Sequence, residues 1–236
     1  MPLPKLVAPT YELELPSTGQ KIKYRPFLVK EEKVLLLAME SEDEKQMINA
    51  VQTILKNCIQ TKVKIDDLSI FDIEYLFLNI RAKSVGEEIE LNVTCPDDGE
   101  TVVPVTINVE DINIQKSDDH ERIIALNDKT SLVMKYPSME MFVQNNFTGT
   151  MKTEDVFELA QSCIDQVIDG EEVYEVKSFS KKEITEFLDS FDTSQFMRVQ
   201  KFFETMPKLS HTITVSNPNT GKDSEVVIEG LASFFA

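Results

Sequence analysis

Histidine, glycine and cysteine are scarce in this chain, and each scarcity removes a class of chemistry. Only two histidines occur, His120 and His211. Neither has the spacing of a zinc or catalytic motif, and both read as exposed polar residues. With seven glycines in all, the sequence has no P-loop and no dinucleotide fingerprint, and no G-x-S-x-G nucleophile elbow occurs. Three cysteines, Cys58, Cys95 and Cys163, are an odd number at wide spacing, which argues against a disulfide framework. Cys58 (KNCIQ) and Cys163 (QSCID) lie in equivalent helical patterns and read as small core residues. Cys95-Pro96-Asp97-Asp98-Gly99 resembles half of a zinc knuckle, but Asp98 stands where the second thiol is needed, and no other Cys or His pair completes a tetrahedral site. A plain Pro/Gly turn is the expectation there.

Cations are also in short supply. Twenty-four Lys and Arg face 41 Asp and Glu, a formal charge of −17. Such a chain repels phosphate backbones and anionic lipid, so neither nucleic acid nor a membrane is an expected partner. It suits a soluble protein or one that meets a basic partner. Residues 1–10 (MPLPKLVAPT) hold no long apolar run and no later stretch approaches a membrane span, so a cytosolic protein is expected. Pairs such as Asp66/Asp67, Asp97/Asp98 and Asp118/Asp119 do not begin a calcium loop of EF-hand type and read as solvated turn residues. The expectation is a non-enzyme, with no catalytic residue, cofactor or metal.

Against these absences stands an internal repeat. Residues 11–26 (YELELPSTGQKIKYRP) line up without a gap on residues 122–137 (RIIALNDKTSLVMKYP), placing Leu13 on Ile124, Leu15 on Leu126, Ile22 on Val133 and Pro26 on Pro137. Residues 91–100 (LNVTCPDDGE) likewise match 213–222 (ITVSNPNTGK). Alternating apolar and polar residues predict a hairpin over 11–24 and a second over 88–109, with helices between. A helical stretch over 29–39 comes first, and Ser41 and Glu44 have the spacing of a capping box for the helix after it. The third helix, about 67–83, is apolar on nearly every side and must be buried, in the core or against a partner. In the second half the same order is expected: a hairpin, helical residues 139–147, and a helix capped by Thr153 whose apolar stripe runs through Cys163 and Ile164 to Val167. Next come a helix opening at Ser180/Glu183, one holding Phe196 to Met206, and a hairpin over 212–229. The predicted class is α+β, with related halves 1–116 and 121–236 joined by a polar linker at about 115–121. Because isolated two-stranded hairpins are marginal in water, the hairpins at the two ends of each half are expected to share a sheet.

The stretch PLPKLVAPTYELELPSTGQKIKYRPFLVKEEKVLLLAME, with FDIEYLFLNIRAKSVGE further on, resembles the baseplate hub assembly proteins of T-even-type tailed bacteriophages. The likeness covers most of residues 2–95 and returns over about 210–236, which end in a hairpin and a GL-x-x-FF tail. Its most specific blocks are Tyr24-Arg25-Pro26-Phe27-Leu28 and Ile80-Arg81-Ala82-Lys83-Ser84, where core packing alone does not account for so many polar positions. The resemblance implies a role in forming the central hub of a contractile tail. The protein would be an assembly factor, resembling tail assembly chaperones, or a permanent structural subunit of the hub. It implies hub proteins and the tape-measure protein as partners, and the infected host's cytoplasm or the virion baseplate as location. The candidate partner contacts are Phe71, Tyr75 and Leu78 on the third helix, and Leu231, Phe234 and Phe235 in the tail. The tail folds onto its own half, or inserts into a partner or a second copy of the chain.

Overall fold

The computed structural model describes residues 6–41, 43–139, 141, 153–230 and 233, and its mixture of helices and small antiparallel sheets is α+β. Contacts divide the chain into two units, Met1–Gln115 with Lys208–Ala236, and Lys116–Pro207. The first unit opens with strands β1 (Tyr11–Glu14) and β2 (Lys21–Tyr24), then helices α1 (Val29–Glu40), α2 (Glu44–Cys58) and α3 (Ile70–Val85), and strands β3 (Glu88–Thr94), β4 (Val102–Asn108) and β5 (Asn113–Gln115). The second unit holds β6 (Ile123–Ala125), β7 (Thr130–Met134), α4 (Thr153–Cys163), β8 (Ile164–Asp169), β9 (Glu172–Glu175), α5 (Lys181–Asp189) and α6 (Thr193–Thr205). The chain then returns to the first unit with β10 (Lys208–Ser216) and β11 (Asp223–Glu229).

One boundary falls inside the polar run expected as a linker. The other, between Pro207 and Lys208, departs from the division into halves 1–116 and 121–236, because the closing hairpin belongs to the first unit. Its strand β10 pairs with β5, Leu209 opposite Ile114. Leu209, Ile213, Val215 and Ile228 pack in one core with Leu78 and Ala82 of α3 and Ile89 and Leu91 of β3. These hairpins cover the side of α3 that carries Leu78 and Ala82 and α2 packs on the helix as well, as a helix apolar on almost every side requires. The expected sheet shared by opening and closing hairpins does not form: β1–β2 and β3–β4 are separate two-stranded sheets, and β10–β11 gains only β5. Leu78 and Ala82 of α3 pack with the inner faces of the β3–β4 and β10–β11 hairpins instead.

Helix ends follow local chemistry. Asp43 caps α2, its carboxylate accepting from the Lys45 and Gln46 N–H groups, a place the sequence pattern gave to Ser41. Ser41 closes α1 instead, donating its hydroxyl to the Ala38 carbonyl at 2.7 Å. Ser69 caps α3, and Gly86 ends it with φ +120°. Ser180 and Glu183 form the expected capping box on α5.

The second unit is a four-stranded antiparallel sheet, β6-β7-β8-β9, packed against α4, α5 and α6 through Leu132, Met134, Ala160, Leu188, Val199 and Phe202. The stripe read as helical through Val167 stops at Cys163, and Ile164 opens a strand. The β-branched Ile164, Val167 and Ile168 favour the pleated state. Gly170-Glu171, with Gly170 at φ +63°, is the two-residue turn between the paired Asp169 and Glu172 that leads into β9. Within the expected helical stretch 139–147, residues 140 and 142–147 lie outside the described residues.

Each unit contains the same local construction. The opening hairpins bury Leu15, Ile22 and Tyr24 in one unit and Leu126, Leu132 and Met134 in the other. The residue after each hairpin donates its N–H to the carbonyl of the cysteine that ends a helix, Arg25 to Cys58 at 3.0 Å and Lys135 to Cys163 at 2.8 Å. Ile59 then bridges Tyr24 as Ile164 pairs with Met134. Leu132, not the aligned Val133, takes the place of Ile22, because the second turn is one residue tighter: Leu15 N–H reaches Gln20, whereas Leu126 N–H reaches Thr130.

Candidate partner-binding face of helix α1

The two blocks singled out in the sequence meet in the first unit and set the start of α1. Arg25 donates from one guanidinium nitrogen to the Pro26 carbonyl at 2.8 Å and from the other to Glu31 Oε1 at 3.0 Å. The second Glu31 oxygen accepts the Leu28 N–H at 2.9 Å, which satisfies a backbone donor ahead of the helix, as an N-terminal box does. Lys30 Nζ stands 3.2 Å from the same carboxylate. Glu31 is only 1% exposed. Burial pushes its carboxyl up, but the hydrogen bonds from Arg25, Leu28 and Lys30 together hold it below the usual glutamate range. From α3, Ser84 Oγ accepts the Phe27 N–H at 2.9 Å and donates to the Ile80 carbonyl. Of the polar positions in these blocks, Arg25 and Ser84, together with Glu31, therefore form a joint that fixes the α1 N-terminus against α3.

What the joint holds in place is a helix with apolar residues on both sides. Leu35 and Ala38 face inward with Glu31. On the other side Val29 is 80% exposed, Leu36 52% and Leu37 54%, with Leu28 and Val34 also open to solvent. Val29, Leu36 and Leu37 recur at i, i+7 and i+8 and share one face with Lys33 and Glu40. A solvated helix face is ordinarily charged; an exposed apolar patch rimmed by charge is the form of a protein-binding surface. The sequence signal was the run VLLLAM, too many successive apolar residues for one helical stripe.

The residues expected from sequence as partner contacts are not on this face of α1. Phe71 (3% exposed) and Leu78 (1%) point into the first unit, and Tyr75 is half-buried against the same core. That side of α3 packs into the interior of the first unit. Leu231, Phe234 and Phe235 lie outside the described residues.

Two polar clusters were also missed. His120, read as exposed, is half-buried in the second unit: its ring nitrogens lie 3.0 Å from Thr205 Oγ1 and 3.1 Å from Tyr136 Oη, and its ring stacks on Tyr136. Burial holds its pKa below the ordinary histidine value. Asp97 and Asp98 are not merely solvated. Asn217, 2% exposed, donates from Nδ2 to both carboxylates at 2.8 Å, clasping the β3–β4 and β10–β11 turns together within the first unit. Among the described residues no group of three or more His, Cys, Asp or Glu side chains is arranged to hold a metal ion. No described helix is long and apolar enough to cross a membrane.

A family model described as T4 bacteriophage base plate protein matches residues 8–236. The chain belongs to that family. No curated protein and no solved structure gives a match. Membership agrees with the resemblance at the level of a phage baseplate protein. In this baseplate protein the joint of Arg25, Glu31 and Ser84 and the outward face of α1 lie wholly within the matched residues, and other baseplate proteins are the partners that membership implies.

Proposed function

We propose that this baseplate protein is a non-enzymatic assembly protein of the central hub, and that it holds a hub or tape-measure protein on the outward face of α1 during assembly in the host cytoplasm. One observation carries the reading: Val29, Leu36 and Leu37 are exposed on a helix that a buried ion pair fixes in orientation. Covering the open halves of Leu36 and Leu37 contributes roughly 1 kcal/mol each, about half the value of fully burying a leucine. A patch of this kind supports affinity without any chemistry.

A second reading, a permanent hub subunit, is favoured by the family's description as a base plate protein. Co-expression with the hub and tape-measure proteins, followed by capture, tests the first reading. Leu36→Asp with Leu37→Asp should abolish capture while leaving the melting temperature unchanged, since exposed substitutions rarely move stability by more than about 0.5 kcal/mol. Undiminished capture by this variant refutes the α1 assignment. Mass spectrometry of purified complete particles separates the two roles: stoichiometric copies mean a subunit, and none means an escort.

A further inference from the structure

We propose that the second unit carries a separate docking cleft for a basic, extended segment of a partner protein, one that lays an arginine or lysine side chain across Tyr174 and Phe179. The cleft has a volume of about 470 Å³, within the ~300–1,000 Å³ of binding pockets. Its floor is the face of β7, β8 and β9 turned toward α5. The register of β7 with β8 slips between Val133 and Met134, leaving Asp165 without a partner residue. The slip returns Ile164 to the face that carries Val167, and both line the cleft with Ile184 and Phe187 of α5.

The mouth is aromatic and acidic. Tyr174 is 38% exposed and Phe179 41%, with ring centroids 6.3 Å apart. Among the described residues of the lining, Asp169 and Glu183 carry charge and none is a cation. Each keeps acceptor capacity. Asp169 Oδ1 receives the Thr130 hydroxyl at 3.1 Å, leaving Oδ2; Glu183 Oε2 receives the Ser180 cap bonds, leaving Oε1. Tyr174 Oη donates to Glu172, adding a carboxylate beside the ring. Aromatic faces flanked by carboxylates attract a guanidinium or ammonium while the floor takes its aliphatic stem.

The neighbouring strand favours an extended segment over a small ligand. Strand β9 is the edge of its sheet, is exposed along its whole length and carries Val173 at 56% exposure. Its outer backbone groups are a template for an added strand. The charge of −17 draws a basic segment toward the protein at long range. The proposal leans on the assembly reading only in making the partner a protein, and its test needs no baseplate protein.

The probe is a fluorescently labelled, end-capped hexapeptide alternating arginine and leucine, titrated into the full-length chain. A peptide with glutamate for arginine is the control. The arginine peptide should bind saturably, slow hydrogen exchange in β9, and lose affinity by about tenfold with Phe179→Ala, the scale of a desolvated cation–π contact. Asp169→Asn should weaken it as well, and both variants should melt as the parent does. Equal affinity for parent and Phe179→Ala means diffuse attraction to an acidic protein and overturns the proposal. Binding of the glutamate peptide, or binding without protection of β9, overturns it too.

Discussion

Removing the Arg25 guanidinium tests whether the polar joint fixes α1. Arg25→Ala leaves the Glu31 carboxylate, 1% exposed, with Lys30 as its remaining cation; the Lys30 side chain is 68% exposed and its charge is well solvated. Breaking a buried pair by deleting one partner costs about 3–5 kcal/mol. The Arg25 side chain keeps 16% of its surface in water, so the lower end applies, about 3 kcal/mol. For a unit of this size that is a fall of about 12 °C in Tm, at roughly 4 °C per kcal/mol. The pH dependence follows from the direction of the Glu31 shift. Its folded pKa is depressed, so the stability it contributes is fully present above the unfolded glutamate pKa of about 4.3 and is lost as pH falls through the lower folded value. The parent–variant gap, followed by thermal melts monitored by circular dichroism, should be full at neutral pH and shrink as pH drops below the ordinary glutamate range. Arg25→Lys should recover only part of it, because the ammonium cannot bridge the Pro26 carbonyl and the carboxylate as a planar fork does. A gap that is absent at neutral pH, or that grows on acidification, refutes the assignment of the joint.

Two shorter expectations accompany it. Gly86 closes α3 at φ +120°, ψ 161°, and a Cβ there meets nothing within 4 Å; Gly86→Ala should still cost about 1–3 kcal/mol by backbone strain alone, read from denaturant unfolding, and a neutral result would mean the backbone relaxes. Burial pushes the Cys58 thiol up to about 11 and the Cys163 thiol up to about 12, so neither should react with a thiol-directed disulfide reagent at pH 8 until denaturant is added.

How far the sequence could be read depended on the range of each signal. The Ser180/Glu183 box and the turns at Gly99 and Gly221 are set by neighbours within a few residues, and the patterns located them. Helix α3 announced its burial because nine of its residues, Phe71 to Ala82, are interior; the sequence left open what covers them. Strand β8 was missed because Ile164 and Val167 fit a helical stripe as well as a pleat when a bulge intervenes, and only Asp169-Gly170 downstream breaks the tie. His120 looked like a linker residue because its partners Thr205 and Tyr136 lie on other elements. The α1 face was visible as excess apolarity, but the third helix, richer still, drew the assignment to Phe71 and Leu78. The destination of the closing hairpin was least legible, since pairing of β10 with β5 spans the whole second unit and leaves no local trace.

That pairing makes the second unit an insertion whose ends are neighbours. The chain leaves the first unit at Gln115 and returns at Lys208, and these residues are direct partners in the β5–β10 ladder. Partners in an antiparallel pair stand about 4.5–5.5 Å apart at Cα, a gap that a two-residue Asn-Gly turn closes. The first unit keeps its core after such a replacement, because Leu209, Ile213 and Val215 pack on α3 and β3. The second has its own core around Leu132, Ala160, Val199 and Phe202. A chain with 116–207 replaced by Asn-Gly should therefore unfold cooperatively, bury Cys58 and Cys95 as the parent does, and keep the α1 face available for capture. Residues 116–207 expressed alone should fold and keep Cys163 unreactive. The division into halves at 121 makes the opposite forecast: residues 1–116 would fold alone and 121–236 would fold alone. Limited proteolysis and calorimetry on the four fragments decide between them. If the 1–116 fragment melts cooperatively and the bridged chain does not, the closing hairpin belongs with the second half after all.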